Sequence, residues 1–114
     1  MALIDWSAAL EMTGGDQALL VEVIGVFQQE TPTLMASIRQ ALGTGDMKLL
    51  HRAAHTLKNS LWSLGATESG NTAYALEQLV HDGTLDGAEQ LCASLESQLP
   101  PVYQELDRYV QESR

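Results

Sequence analysis

The chain has 114 residues, a formal charge of -9 from six Lys and Arg against fifteen Asp and Glu, and a hydrophobic content of 45% with few aromatics. That length closes one hydrophobic core and not two, so a single domain over residues 1–114 is expected, and a core of Ala, Leu, Val and Met favours packed helices over stacked sheets. The acidic balance argues against duplex nucleic acid and anionic membrane as partners unless the positive charge is concentrated in one place, the lone Cys92 excludes an internal disulfide, and no apolar run approaches a membrane span.

The N-terminal stretch MALIDWSAALEM is short, acidic and interrupted, unlike a secretory leader, so a cytoplasmic protein is expected, and Met1 just before it points to a free-standing chain. A short segment from Ile4 to Met12 ends at Thr13-Gly14-Gly15, and Asp16 stands where an N-cap is wanted. From Asp16 to Leu42 the apolar residues Leu19, Leu20, Val23, Ile24, Phe27, Leu34, Met35, Ile38, Ala41 and Leu42 keep helical spacing. Pro32 should kink or break this run, and Gly43-Thr44-Gly45 stops it. Asp46 opens a helix whose inward stripe is Leu50, Ala53, Ala54, Leu57, Leu61 and Leu64, ending at Gly65.

Ala66 to His81 forms a further helix with Ala73, Leu76, Leu79 and Val80 inward, closed by Asp82-Gly83. The last starts near Asp86 and carries Ala88, Leu91, Leu95, Leu99, Val102, Leu106 and Val110, with a kink or a break expected at Pro100-Pro101. Connections of about two to four residues join the last three helices and make them antiparallel neighbours. The expected fold is all-α, an antiparallel up-down four-helix bundle with a short N-terminal capping helix.

On the Asp46 helix, stepping about 100° per residue puts Lys48, His51, Arg52, Lys58, Asn59 and Trp62 within roughly 60° of His55, with Leu50 and Leu57 nearly opposite. Three of the six basic residues and two of the three histidines thus share one face of one helix. A solvated charged face is the ordinary reading of such a run. An acidic protein, however, gains no solubility by gathering half its positive charge in one place, so the stripe suggests that an anion is received there. Imidazole is a nucleophile that is largely neutral near pH 7, so an exposed His55 can attack phosphorus without a dedicated base. Lys58, one turn on, can reach phosphoryl oxygens carried on the ring, a spacing that suits a covalent carrier.

The segment HRAAHTLKNSLWSLGA, His51 to Ala66, resembles the signature of histidine-containing phosphotransfer domains, Ala-His-x-Leu-Lys-Gly-Ser followed by Gly-Ala. Here those positions read Ala54, His55, Leu57, Lys58, Asn59, Ser60, Gly65 and Ala66. A Phe27-x-x-Glu30-x-Pro32 stretch before it and Leu76-Glu77 after it extend the likeness over most of the chain. The resemblance implies a phosphoryl carrier without turnover of its own, with His55 as phosphoacceptor and Lys58 as the phosphate-stabilising cation. His51, Arg52, Asn59, Trp62 and Lys48 then form the docking face. It implies a monomer whose partners are a response-regulator receiver domain, a hybrid sensor histidine kinase, or both. It implies no cofactor or metal on this chain, the Mg²⁺ of transfer belonging to the receiver.

Asn59 stands where the family usually has Gly, beside His55, and either narrows a partner's approach or adds an amide hydrogen bond to the phosphoryl group. Trp62 is larger than the residue usual there and is either an anchor for a partner or packed against the N-terminal segment near Trp6. His51 and His55 are spaced to hold a metal, but no glutamate follows His51 and no further ligands cluster nearby. His51 is then a flanking residue, a tuner of His55 or a phosphate contact. His81 beside Asp82 reads as a helix-terminus residue, and Cys92 as a small core residue. Two other functions are open: a docking module that uses the same face without accepting phosphate, and a helical dimerisation bundle for which the basic stripe is accidental.

Overall fold

Asp5, Asp16 and Asp46 each stand in extended backbone ahead of a helix, and their carboxylates accept from the amides of Ala8, Leu19 and Leu49 at 3.0–3.1 Å. These caps fix three of the five helix starts, each stabilising by about 1 kcal/mol. In the computed structural model, which describes residues 3–113, the helices are α1 (Trp6–Met12), α2 (Gln17–Thr44), α3 (Met47–Ser63), α4 (Thr67–His81) and α5 (Ala88–Glu112). Met1, on which the free-standing expectation rests, lies outside the described residues. No strand occurs among those residues, and no helix is long and apolar enough to cross a membrane.

Helices α2 to α5 close a four-membered ring in chain order, each packed on the next and α5 back on α2. Antiparallel pairing of α2 with α5 is fixed by cross-links along its length. Gln28 Nε2 donates to Asp107 at 2.7 Å, Phe27 packs on Tyr103, and Arg39 is clamped by Glu89 and Glu96. Because α2 and α5 outlast α3 and α4, their ends project at one end of the bundle, where α1 sits. There Trp6 stacks on Tyr109 with ring centroids 4.2 Å apart, and the Asp5 amide donates to the Gly65 carbonyl at 2.8 Å. Gly65 has φ +75°, and a methyl group there would overlap the Asp5 backbone, so only glycine permits both the turn and the docking.

The inward stripe of α3 is buried as expected, from Leu50 through Leu64. Ala73, Leu76 and Val80 of α4 join it, as do Ala88, Cys92, Leu95, Leu99, Val102 and Leu106 of α5. Burial also pushes the Cys92 thiol up, which keeps it protonated and inert.

Two expectations need correction and a third, a kink or a break at the prolines, is narrowed. Neither Pro32 nor Pro100-Pro101 breaks its helix: α2 and α5 run through. All three prolines are exposed, so the carbonyls they deprive of a donor, at Gln28, Glu96 and Ser97, lie on outer faces within reach of water. Leu19, expected in the core, is 42% exposed, because α2 projects beyond α3 at that level and nothing covers its outer side. Finally, α4 and α5 are joined by the longer segment 82–87, shaped by left-handed Gly83 and Gly87 and by the Thr84 hydroxyl accepting from the Asp86 amide.

Candidate functional site

His55 projects from the middle of α3 with about half its side chain exposed, and its ring is held at both nitrogens. Nδ1 lies 2.5 Å from Glu77 Oε2 on α4, and Nε2 lies 3.2 Å from the Asn59 side-chain nitrogen one turn along α3. Lys58 Nζ donates to the other Glu77 oxygen at 2.7 Å and is 3.3 Å from His55 Nδ1. Nδ1 cannot both donate to the carboxylate and accept from the ammonium. The short contact to a buried anion assigns the ring proton to Nδ1, with the Lys58 proton directed at Glu77. Nε2 then carries a lone pair, which the Asn59 amide donates to, and this lone pair faces outward.

Glu77 is 5% exposed and Lys58 is 9% exposed. Burial alone would push the Glu77 carboxyl up. The hydrogen bonds from Lys58 and His55, with the charge of both groups, outweigh it and hold the carboxyl below its ordinary value. The arrangement resembles a nucleophile whose ring is oriented by a buried carboxylate, itself neutralised by a buried cation.

Lys58 therefore occupies a different place from the expected one. At 60° from His55 on the α4 side it lies in the α3–α4 interface, not on the open face. Its ammonium is 5.5 Å from the ring centroids of both Trp62 and Tyr74, and these rings roof the ion pair. Trp62 does not pack near Trp6. Its indole lies in the space left by Gly70, where a methyl group would overlap it, donates to Asn71 Oδ1 at 3.1 Å and tilts against Tyr74 at 5.5 Å. It remains 40% exposed, so part of the indole faces outward.

His51 lies parallel to His55 with centroids 6.3 Å apart, and its Nε2 is 3.8 Å from Glu77 Oε2, so it flanks the same carboxylate. His81, read as a helix-terminus residue, ends α4 as expected, and its ring is also 6.2 Å from that of His51. Lys48 and Arg52 are exposed on the N-terminal half of α3. Among the described residues no group of three or more His, Cys, Asp and Glu is placed to hold a metal ion.

Two features escaped the reading of the basic stripe. Glu77 was visible only as part of a layout, yet it stands on the inward side of α4 between Ala73, Leu76 and Val80, and a lone acid in an apolar stripe is a signal in its own right. The second is an apolar groove beside Asn59, lined by Met12, Leu19, Val23, Val26 and Phe27. Met12, Leu19 and Val26 are each at least 42% exposed, which makes one apolar patch at the edge of the site.

A family profile for the Hpt domain matches residues 22–113, which takes in α3, α4, α5 and most of α2. Comparison with curated proteins and with solved structures returned no match. Hpt domains are helical bundles that carry phosphoryl groups in two-component signalling and interact there with receiver domains and kinases; they are carriers, not enzymes. Since the profile spans the whole ring of the bundle except the start of α2, this chain belongs to the Hpt domain family.

Proposed function

We propose that this chain is the histidine phosphotransfer component of a multistep phosphorelay. It accepts a phosphoryl group on His55 from a receiver-domain phosphoaspartate and passes it to, or takes it back from, a response-regulator aspartate. The observation that carries the reading is that Nδ1 of the half-exposed His55 ring lies 2.5 Å from buried Glu77 while Nε2 is on the other edge beside exposed Asn59, an arrangement that favours the tautomer with its proton on Nδ1 and a lone pair on Nε2. That tautomer attacks directly: Nε2 forms a bond to phosphorus while the acyl oxygen–phosphorus bond breaks, and the receiver carboxylate leaves with the electron pair. No proton has to leave Nε2. The ring becomes cationic as the bond forms, and Glu77 offsets that charge, so reversal requires only that the same bond be broken by an incoming carboxylate.

The partner meets His55 between two surfaces. The apolar groove of α1 and α2 flanks it on one side, and Lys48 and Arg52 on α3 offer charge to an acidic partner. The receiver supplies the aspartate and Mg²⁺, and the carrier works as a single-domain monomer in the cytoplasm.

Incubation with a phosphorylated receiver domain and Mg²⁺, followed by intact mass, tests the reading. One acid-labile, base-stable phosphoryl group is expected, absent in His55→Gln, whose side-chain amide still offers Glu77 a donor so that the fold is kept. Absence of label across several donors, with function kept in His55→Gln, would identify a docking module instead.

A further inference from the structure

The nitrogen that accepts phosphate in this reading has one side-chain neighbour in hydrogen-bond range among the described residues, and it is Asn59, not Lys58. Lys58 is committed to Glu77 on the opposite edge of the ring, beneath Trp62 and Tyr74. An N-phosphoryl group on Nε2 would place its oxygens in the region the Asn59 amide now occupies. Asn59 is exposed, so its side chain can swing from the lone pair to those oxygens without disturbing the core.

We infer that Asn59 holds the phosphoryl group on His55, its amide exchanging a hydrogen bond to the Nε2 lone pair for a stronger one to a phosphoryl oxygen, so that the chain retains phosphate. The inference rests on His55 being the phosphoacceptor. Its direction follows from relative strengths. A hydrogen bond to an anionic oxygen is roughly twice as strong as one between neutral groups, so the charged state gains more from the amide than the free state does. Dissociation of the phosphoryl group passes through a loose transition state in which the bond to nitrogen is largely broken and the group has moved off the ring, so a donor anchored one helix turn from His55 and aimed at the bound position favours the phosphorylated ground state over its breakdown. The amide also occupies the side from which water would approach. Glycine at this position would do none of these things.

The test uses the full chain charged with phosphoramidate, which needs no partner, and follows loss of the acid-labile label by intact mass. Asn59→Gly and Asn59→Ala should lose it roughly three- to tenfold faster than the parent protein. Asn59→Asp, whose carboxylate repels the phosphoryl oxygens, should lose it faster still. Exchange with a phosphorylated receiver should move toward the receiver by the same factor in Asn59→Gly. In the unphosphorylated protein, the ¹⁵N resonance of His55 Nε2 should shift in Asn59→Ala while the thermal midpoint does not fall, since alanine suits an exposed helix position, and a merely structural role would not produce that combination. Equal lifetimes in all four proteins, or longer ones in the variants, would overturn the role of Asn59 alone. A parent protein that takes no label at His55 would overturn the phosphoacceptor reading itself.

Discussion

Replacing Glu77 with Ala removes the acceptor from two groups with different prospects. His55 is half-exposed, so its Nδ1–H can turn to water, whereas the Lys58 ammonium is 9% exposed and roofed by Trp62 and Tyr74. Breaking a buried pair by deleting one member costs about 3–5 kcal/mol when the remaining charge is fully trapped. Lys58 lies near enough to the surface for partial escape along its flexible stem, and we expect a loss of about 2–4 kcal/mol in urea unfolding at pH 7. The double variant Lys58→Met/Glu77→Leu leaves no orphan charge, so most of that loss should be recovered, with strong non-additivity against the single changes. Phosphoryl uptake should not recover with it. Without the buried carboxylate neither the ring tautomer nor the developing positive charge is supported, and labelling of His55 in either variant should slow by about tenfold or more under conditions where the protein is folded. A Glu77→Ala protein that unfolds within about 1 kcal/mol of its parent would refute the buried pair, and additive single changes would refute the coupling. Normal labelling in the folded double variant would refute the role of Glu77 in orienting His55.

Lowering pH should test the same carboxylate from another direction. Glu77 is held below its ordinary value of 4.5, so as pH falls through that value the unfolded chain takes up the proton first and the folded state loses stability until the depressed value is passed. Glu77→Gln should show a shallower acid slope in a denaturation series from pH 6 to pH 3. Gly65→Ala places a methyl group against the Asp5 backbone at a left-handed φ, and should cost roughly 2 kcal/mol or more while detaching α1, read as a change in fluorescence of Trp6 stacked on Tyr109. Asp46→Ala removes the cap of the helix that carries His55 and should cost about 1 kcal/mol by thermal unfolding without changing the labelling rate.

Features set by neighbours along the chain were legible from the sequence. The caps at Asp16 and Asp46, the glycine stops and the three-to-four spacing of the α3 stripe depend on a few consecutive residues, and each stands where it was expected. Several of the failures involve a second element. Local rules left a kink or a break open at the prolines, and α2 and α5 run through because the carbonyls without a donor lie on outer faces within reach of water. Periodicity gives the direction in which Lys58 points, but not that α4 comes down on that side and turns an exposed cation into a buried one. Trp62 depends on a gap at Gly70, eight positions away on another helix, which nothing near Trp62 announces. Leu19 had the right spacing for the core but lies where α2 has outrun its neighbour.

The buried pair has a consequence for where the charge of the transfer reaction is handled. An ammonium committed to a carboxylate at 2.7 Å contributes little field at a phosphoryl group on the far nitrogen, because the two charges nearly cancel at that range. Beyond the charge that Glu77 offsets on the ring it touches, the pair contributes rigidity: it locks one edge of the imidazole against α4, so that in the proposed transfer the other edge meets each partner in the same orientation. In the proposed transfer, neutralisation of the phosphoryl oxygens would then fall to whatever surrounds them at the surface, the Asn59 amide on this chain and the cations of the receiver. Exposed Lys48 and Arg52 lie on the same helix as His55 but are not bound into the core, and in the proposed docking they would contact an acidic partner. Their contribution is screened by salt while the buried orientation of His55 is not. Raising ionic strength should therefore weaken docking and leave the chemistry of a docked complex unchanged.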